Sequence, residues 1–151
     1  MKDLQKRYRL GLDAMGLGLF VLIMLPNVIW AAVPPVPDPL SLPSVTPRLD
    51  SAASAAQALM VAALCLVKNR RAVPMRHLAA AAIGLCCLGY YAAWGCYYGG
   101  FLHPALFLSM CVLPCLALLL YAAARRNWAA FVPGVVFSVL HGVYGICNFL
   151  L

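Results

Sequence analysis

The sequence predicts an all-α integral membrane protein, a bundle of about five transmembrane helices. Of its 151 residues, 65% are hydrophobic and 10% are charged, whereas a soluble domain carries about 25% charged residues. The apolar residues form five runs of about 20 residues each, the length that crosses a bilayer. The lipid bilayer is therefore the expected partner of most of the chain's surface.

The predicted spans cover residues 10–33, 47–67, 78–98, 105–124 and 128–150, which together form a single membrane domain over 1–151. A basic start followed by an apolar run is also typical of a signal peptide. The first run is longer than a usual signal-peptide core, and cleavage after Ala32 would place bulky Trp30 where a small residue is needed. We therefore expect an uncleaved first span, kinked or loosened after Pro26.

The basic residues predict the orientation of the chain in the membrane. Ten of the eleven Lys and Arg residues lie in the N-terminus, the loop at 68–77 and the Arg125-Arg126 turn, and Arg48 is the exception. Cytoplasmic loops carry an excess of Lys and Arg, so we expect the N-terminus in the cytoplasm and the C-terminus outside. Because the net charge of +7 sits in short runs between spans, it does not indicate nucleic-acid binding.

The loop at 34–46, between the first two spans, is rich in proline. Proline favours extended or polyproline II backbone, so we expect no helix in this loop. The loop is either a stiff spacer between two spans or a lid over an outward-facing cavity. Thr46 and Pro47 then predict a helix start, with a capping hydroxyl and a proline at the first helical position.

The last span has no charged side chain and carries His141 near its middle. At 100° per residue, one helical face holds Gly134, Ser138, His141, Gly145 and Asn148. The spacing of Gly134, Ser138 and Gly142 is a small-x-x-x-small pattern, which favours close helix packing. His141 is therefore either a hydrogen-bonded member of a packed interface or a histidine that binds a proton or a ligand.

Several polar residues fall in the outer half of the predicted spans. Asn27 lies in the first span, Gln57 in the second, and Asn148 beyond His141 in the fifth. Together with Ser138, these are the candidate ligand-binding residues of a polar pocket that opens outward. Interhelical hydrogen bonds would explain the same distribution.

The third span ends in a cluster of aromatic residues, Tyr90, Tyr91, Trp94, Tyr97 and Tyr98. Because Tyr and Trp gather at the membrane–water boundary, the cluster predicts an aromatic belt. A stacking site for a sugar or a cation is the alternative.

The seven cysteines lie mostly within apolar runs and form no C-x-x-C motif, so we expect no disulfide framework. Cys111 and Cys115 could bind a soft metal with His141, and Cys96 could pair with Cys147 near the outer boundary. Four scattered Asp residues, no Glu and no catalytic motif predict a protein that is not an enzyme and needs no cofactor.

Two stretches resemble a known group of proteins. The run MLPNVIW at 24–30 before the Pro-rich loop, and the ending with Pro133-Gly134 and HGVYGICNF at 141–149, are similar to an uncharacterised group of small bacterial multi-spanning inner-membrane proteins. This resemblance implies a bacterial cytoplasmic membrane and no particular activity. The tryptophan-rich sensory protein family is similar in length and number of spans, but this chain has only three tryptophans.

These observations predict a non-enzymatic membrane protein that binds or transports a small solute through an outward-facing polar pocket. The alternative is a structural or assembly subunit, whose small-residue faces would pack against a membrane partner protein or a second copy of the chain.

Overall fold

The computed structural model describes residues 7–72 and 74–151. Within them lie helices α1 (Ala14–Ala32), α2 (Pro47–Leu66), α3 (His77–Tyr98), α4 (Pro104–Ala124) and α5 (Trp128–Phe149). Two short strands, β1 (Tyr8–Leu10) and β2 (Val67–Asn69), and a 3₁₀ turn at Pro39–Ser41 accompany them. Each of the five helices is long and apolar enough to cross a membrane, which confirms the predicted helical fold class.

The last four helices begin and end within one residue of the predicted spans. Helix α1 begins later than predicted, at Ala14, because the residues before it form β1. This strand pairs with β2 in an antiparallel ribbon that the sequence analysis did not anticipate. Asp13 then opens α1, and its carboxylate accepts a hydrogen bond from the Gly16 amide at 3.3 Å.

The ribbon is fastened to the C-terminal end of α2. The backbone amides of Gly11 and Asp13 donate to the carbonyls of Leu66 and Cys65, at 3.0 and 2.7 Å. The side-chain amide of Asn127 donates to two further carbonyls of the same region. These donors satisfy the carbonyl groups that the end of a helix leaves open. We call this end of the bundle the ribbon end, and the opposite end, with residues 33–46, the loop end.

Basic side chains gather at the ribbon end. Among the described residues, those at or beside the ribbon and the α4–α5 turn are Arg7, Arg9, Lys68, Arg70, Arg71, Arg76, Arg125 and Arg126. Arg48, in the first turn of α2, lies at the loop end. The two ends of the bundle therefore differ strongly in charge.

Helix α4 lies at the centre of the bundle, where it packs on α3 and α5, and α5 in turn packs on α2. The largest fully buried side chains are those of Met60, Leu64 and Tyr97, from α2 and α3. Helices α2, α3, α4 and α5 form most of the continuous apolar core, and α1 lies at its edge.

Few residues attach α1 to this core. The buried residues of α1 are Gly16, Ile23 and Pro26. The helix continues through Pro26 to Ala32. A Cβ atom on Gly16 would lie 3.0 Å from the Leu64 carbonyl oxygen, so glycine permits the close approach of α1 to α2. Much of the rest of α1 faces outward.

The Pro-rich loop folds over the loop end and is held there by Asp38. The Asp38 carboxylate accepts hydrogen bonds from the Leu40 amide at 3.2 Å, from the Trp30 indole at 3.1 Å and from the Tyr97 hydroxyl. Leu40 packs against the core. The expectation that this loop contains no helix is wrong at Pro39–Ser41, which forms a 3₁₀ turn, because proline is accepted at the first position of a helix.

Asn148 holds the other end of the loop. Its side-chain oxygen accepts from the Val45 amide at 2.9 Å, and its side-chain nitrogen donates to the Thr46 hydroxyl at 3.2 Å. That hydroxyl donates to Asp50 at 3.0 Å and does not cap α2, so the predicted capping role of Thr46 is wrong. Pro47 does occupy the first helical position of α2.

Candidate functional site

A cavity of about 410 Å³ lies between the helices, in the half of the bundle nearer to the loop end. Each of the five helices contributes to its wall. The side chains of the wall that carry nitrogen or oxygen are Asn27, Asp50, Ser54, Gln57, Tyr90, His141 and Tyr144. Apolar side chains of α1, α2, α4 and α5 form the remainder, so a few polar groups converge in a largely apolar space.

A smaller cavity of about 170 Å³ adjoins the first and extends toward the loop. The two cavities share Asn27, Tyr90, Met110, His141 and Tyr144 in their walls. Trp30 and Leu40 also line the smaller cavity. The Pro-rich loop therefore forms part of the cover at the loop end, through Leu40.

A cleft of about 450 Å³ lies between α1 and α2. It shares Phe20, Met24, Ser54 and Gln57 with the larger cavity. Because the same side chains border both spaces, the gap between these two helices adjoins the cavity. The loose attachment of α1 permits this gap.

His141 lies in a row of stacked rings along α5. Its ring centroid is 5.0 Å from that of Phe137 and 5.6 Å from that of Tyr144, at interplanar angles of 20° and 4°. Residues three and four apart share one face of a helix, so α5 presents this row to the cavity. The imidazole forms no hydrogen bond with any described residue, which leaves its donor and its acceptor available.

Asn27 and Tyr90 meet across the cavity wall. The side-chain nitrogen of Asn27 donates to the Tyr90 hydroxyl at 2.7 Å and to the Ile23 carbonyl at 3.3 Å. This use of its nitrogen leaves the side-chain oxygen of Asn27 as an acceptor at the cavity.

Helix α2 contributes Asp50 and Gln57, seven residues apart on one face. One Asp50 oxygen accepts from Thr46, and the Gln57 amide makes no hydrogen bond within the described chain. Among the described wall residues there is one carboxylate, that of Asp50, and there is no Lys or Arg. The described wall therefore offers a carboxylate and no fixed positive charge.

The indole of Trp94 presents an unpartnered donor. Trp94 is 5% exposed and lines the smaller cavity, and its Nε1 has no hydrogen-bond partner among the described residues. A buried donor left unsatisfied costs about 1–3 kcal/mol. An acceptor inside the cavity would remove this cost.

The structure brings together part of the predicted set of site residues. Asn27, Gln57 and His141 line one cavity, as described above. Asn148 lies outside its wall and fastens the loop. Ser138 also lies outside the wall, and its hydroxyl donates to the Gly134 carbonyl of its own helix at 2.7 Å.

The aromatic cluster on α3 was interpreted mainly as an interfacial belt, with a stacking site as the alternative. Tyr90, Trp94 and Tyr97 are buried in the bundle, so a lipid-facing belt is wrong for these three, and Tyr90 and Trp94 line the cavities. Their spacing of four and three residues puts them on one helical face, which is the signal for an inward orientation. Asp50 was not among the predicted site residues, although it lies seven residues before Gln57 on the same face of α2.

The cysteines do not form the sites considered for them. Among the described residues, no group of three or more His, Cys, Asp or Glu side chains is placed to hold a metal, so Cys111, Cys115 and His141 make no such centre. Cys96 and Cys147 are free thiols, and the pairing considered for them is not formed.

The electrostatics of the loop depend on Asp38. Partial burial raises the pKa of Asp38, but the hydrogen bonds from Tyr97, Trp30 and Leu40 outweigh burial and lower that pKa below its ordinary value. The ionised carboxylate is therefore the form that holds the loop in place.

No protein-family model, no curated protein and no solved structure matches this chain. The arrangement of its own residues therefore carries the functional argument. Its central feature is a cavity with converging polar groups, a loop above it and a gap between α1 and α2 beside it.

Proposed function

We propose that the protein crosses a bacterial cytoplasmic membrane five times and binds a small solute in the cavity of the loop end, without catalysing a reaction. The observation that carries the proposal is the set of unpartnered polar groups around the two cavities. Gln57, His141 and the buried Trp94 indole make no hydrogen bond within the described residues. Buried polar groups are normally hydrogen-bonded, which applies to the Trp94 indole, whereas Gln57 and His141 are half-buried and face the cavity. A solute in the cavity would supply the missing partners.

The charge asymmetry of the bundle supports the orientation. Basic residues favour the cytoplasmic side of a membrane, so the ribbon end and the N-terminus lie inside and the C-terminus lies outside. The cavity is then nearer to the outer surface, beneath the Pro-rich loop. The solute reaches the cavity from outside past this loop, or from the bilayer between α1 and α2.

The lining indicates the class of solute. Asp50 supplies a negative charge, and no Lys or Arg among the described wall residues offsets it, so an anion is disfavoured. The ring row of Phe137, His141 and Tyr144 offers aromatic faces, which attract rings and cationic groups. The volume falls in the range of about 300–1,000 Å³ that small-molecule pockets occupy. We therefore propose a neutral or cationic solute.

The surroundings of His141 support a binding role over catalysis. Nucleophilic catalysis needs a base hydrogen-bonded to a Ser, Cys or Tyr nucleophile. His141 has no such partner among the described residues. Transport of the bound solute is compatible with the same cavity.

The test is a ligand screen on the full chain in lipid nanodiscs. Small amines, neutral sugars and carboxylates would be scored by the shift that each produces in the unfolding temperature. A ligand at 100 times its Kd adds about 2.7 kcal/mol to stability. Neutral or cationic hits whose effect disappears in Gln57→Leu and His141→Phe, but persists in the outward-facing control Val139→Ala, support the proposal. The proposal is contradicted if the ligands shift the unfolding temperature equally in these two variants, or if carboxylates give the largest shifts.

A second function, an assembly subunit, is favoured by one surface of α2. The small residues Ser51, Ala55, Ala58 and Ala62 are exposed along it. Small residues let helices approach closely in a membrane. If a partner helix packs there, Ala55→Trp, which lies outside the described walls of the cavity and of the α1–α2 cleft, would release it from the purified complex while solute binding remains unchanged. Unchanged co-purification with Ala55→Trp would exclude this surface.

A further inference from the structure

A second cavity, of about 490 Å³, lies at the ribbon end and is lined mainly by charged and polar groups. Arg9, Lys68, Arg70 and Arg125 contribute positive charges to its wall, and Asp13 contributes a carboxylate. The four cations exceed the single anion, so the pocket carries a net positive charge. The proposed solute site, at the other end of the bundle, does not involve these residues.

The strand ribbon holds two of these cations side by side. Arg9 of β1 lies directly opposite Lys68 of β2 in the antiparallel register. Side chains at opposite positions project from the same face, with Cβ atoms about 4.5–5.5 Å apart, and like charges there destabilise the pair. The excess of Lys and Arg on the cytoplasmic side of a membrane accounts for basic residues at this end, but not for two of them directly opposite each other in the ribbon. An anion bound between the two side chains would turn repulsion into attraction.

The carboxylate in the wall is engaged elsewhere. Asp13 is buried, and its Oδ1 accepts from the Gly16 amide at 3.3 Å and from the Tyr121 hydroxyl at 2.9 Å. Within the described part of the chain, no carboxylate forms an ion pair with Arg9 or Lys68. These two cations remain available to a ligand.

We propose that this pocket binds a phosphate group, and that the headgroup of an anionic phospholipid supplies it. Arg and Lys are the side chains that bind phosphate oxygens, Arg through paired N–H donors. The pocket lies where the helices end, and the apolar side chains of Leu10, Leu12 and Leu66 are exposed close by. Acyl chains would cover such side chains, whereas a soluble phosphate would not. Basic pockets at the cytoplasmic ends of spans suit anionic headgroups.

The test measures lipid binding to the purified full chain in detergent by native mass spectrometry. Dioleoyl phosphatidylglycerol is compared with dioleoyl phosphatidylcholine, each with and without inorganic phosphate. The pocket variant is the double substitution Arg9→Gln with Lys68→Gln. The control variant is Arg7→Gln with Arg71→Gln, which removes the same charge from exposed positions outside the described pocket wall.

We expect phosphatidylglycerol to bind at least tenfold more tightly than phosphatidylcholine. The pocket variant should lose most of this preference, since a basic residue near an anionic surface contributes about fivefold. The control variant should change the preference less than threefold. In the absence of anionic lipid, the pocket variant should unfold at the same or a higher temperature than the parent chain, which excludes misfolding as the cause.

Other results would overturn the proposal in whole or in part. If both variants lose the preference for phosphatidylglycerol to the same extent, the binding depends on overall positive charge, and a specific site in this pocket is excluded. If the parent chain shows no preference for phosphatidylglycerol over phosphatidylcholine, the anionic lipid is excluded as the ligand. Binding of inorganic phosphate that is lost only in the pocket variant, without any lipid preference, retains the phosphate site and overturns the lipid as its source.

Discussion

The side-chain nitrogen of Asn27 lies 2.7 Å from the Tyr90 hydroxyl, and this hydrogen bond joins the edge helix α1 to α3 across the wall of the cavity. Helix α1 has few other buried attachments. The contact therefore has two effects: it holds the helix against the bundle and it fixes two polar groups that face the cavity.

A double-mutant cycle measures the strength of this contact. Asn27→Leu and Tyr90→Phe each remove one partner, and the cycle should give a coupling of about 0.6–1.7 kcal/mol, the range for hydrogen bonds between membrane helices. The observable is the free energy of unfolding in one detergent. Val28→Ala, at the exposed neighbouring position, replaces Asn27→Leu in the control cycle. Equal coupling in both cycles would mean that the contact does not hold α1.

Two glycines of α5 should respond differently to a larger side chain. A Cβ on Gly145 would lie 3.0 Å from the Cys111 sulfur, whereas a Cβ on Gly142 would meet nothing within 4 Å. Gly145→Leu should therefore destabilise the bundle by about 1–3 kcal/mol through overpacking, and Gly142→Leu should not. Thermal unfolding of the two variants checks this difference. A loss in Gly142→Leu as large as that in Gly145→Leu would contradict the assigned faces of α5.

Tyr121 supports the buried carboxylate of the ribbon end. Its hydroxyl donates to Asp13 at 2.9 Å, and both side chains are buried. Tyr121→Phe removes a donor from a buried anion, so we expect a loss of about 1–3 kcal/mol in unfolding free energy. Tyr8→Phe is the matched control, since the Tyr8 hydroxyl has no hydrogen bond among the described residues. Equal stability of the two variants would show that Asp13 does not need this donor.

The attachment of the Pro-rich loop should depend on pH through Asp38. Because the pKa of Asp38 is lowered in the folded state, its ionised form stabilises the loop above about pH 4. This stabilisation is lost as the pH falls through the lowered pKa. In a chain that retains Trp30 and carries Trp94→Phe and Trp128→Phe, Trp30 fluorescence should change in that acidic range.

The control for this titration is Asp38→Asn, which should remove the acidic transition and leave the loop looser at neutral pH. An unchanged transition in this variant would assign the pH effect to another group.

Much of the fold could be predicted from the sequence because each span is a long apolar run with clear ends. Pro47, Pro104 and Asn127 mark helix starts in the structure, close to the predicted boundaries. The start of α1 was missed because pairing between residues 8–10 and 67–69 is a long-range contact that local pattern does not reveal.

The site was predicted less completely for a related physical reason. In a membrane protein both lipid and core accept apolar side chains, so composition does not tell which face of a helix points inward. The polar residues Asn27, Gln57 and His141 gave that signal. Tyr90 and Trp94 did not, because the same residue types are also typical of the membrane boundary.

Water access to the cavity tests the central claim most directly. Single cysteines would replace Gln57 and His141 in a cysteine-free chain, and a membrane-impermeant thiol reagent would be added from each side. Val45→Cys in the exposed loop is the positive control, and Val139→Cys on the outward-facing surface and Ala117→Cys in the core are the negative controls. We predict labelling at positions 57 and 141 from outside only, and protection by a bound solute. If neither position 57 nor position 141 is labelled from outside while Val45→Cys reacts, the cavity does not open outward and the account is contradicted.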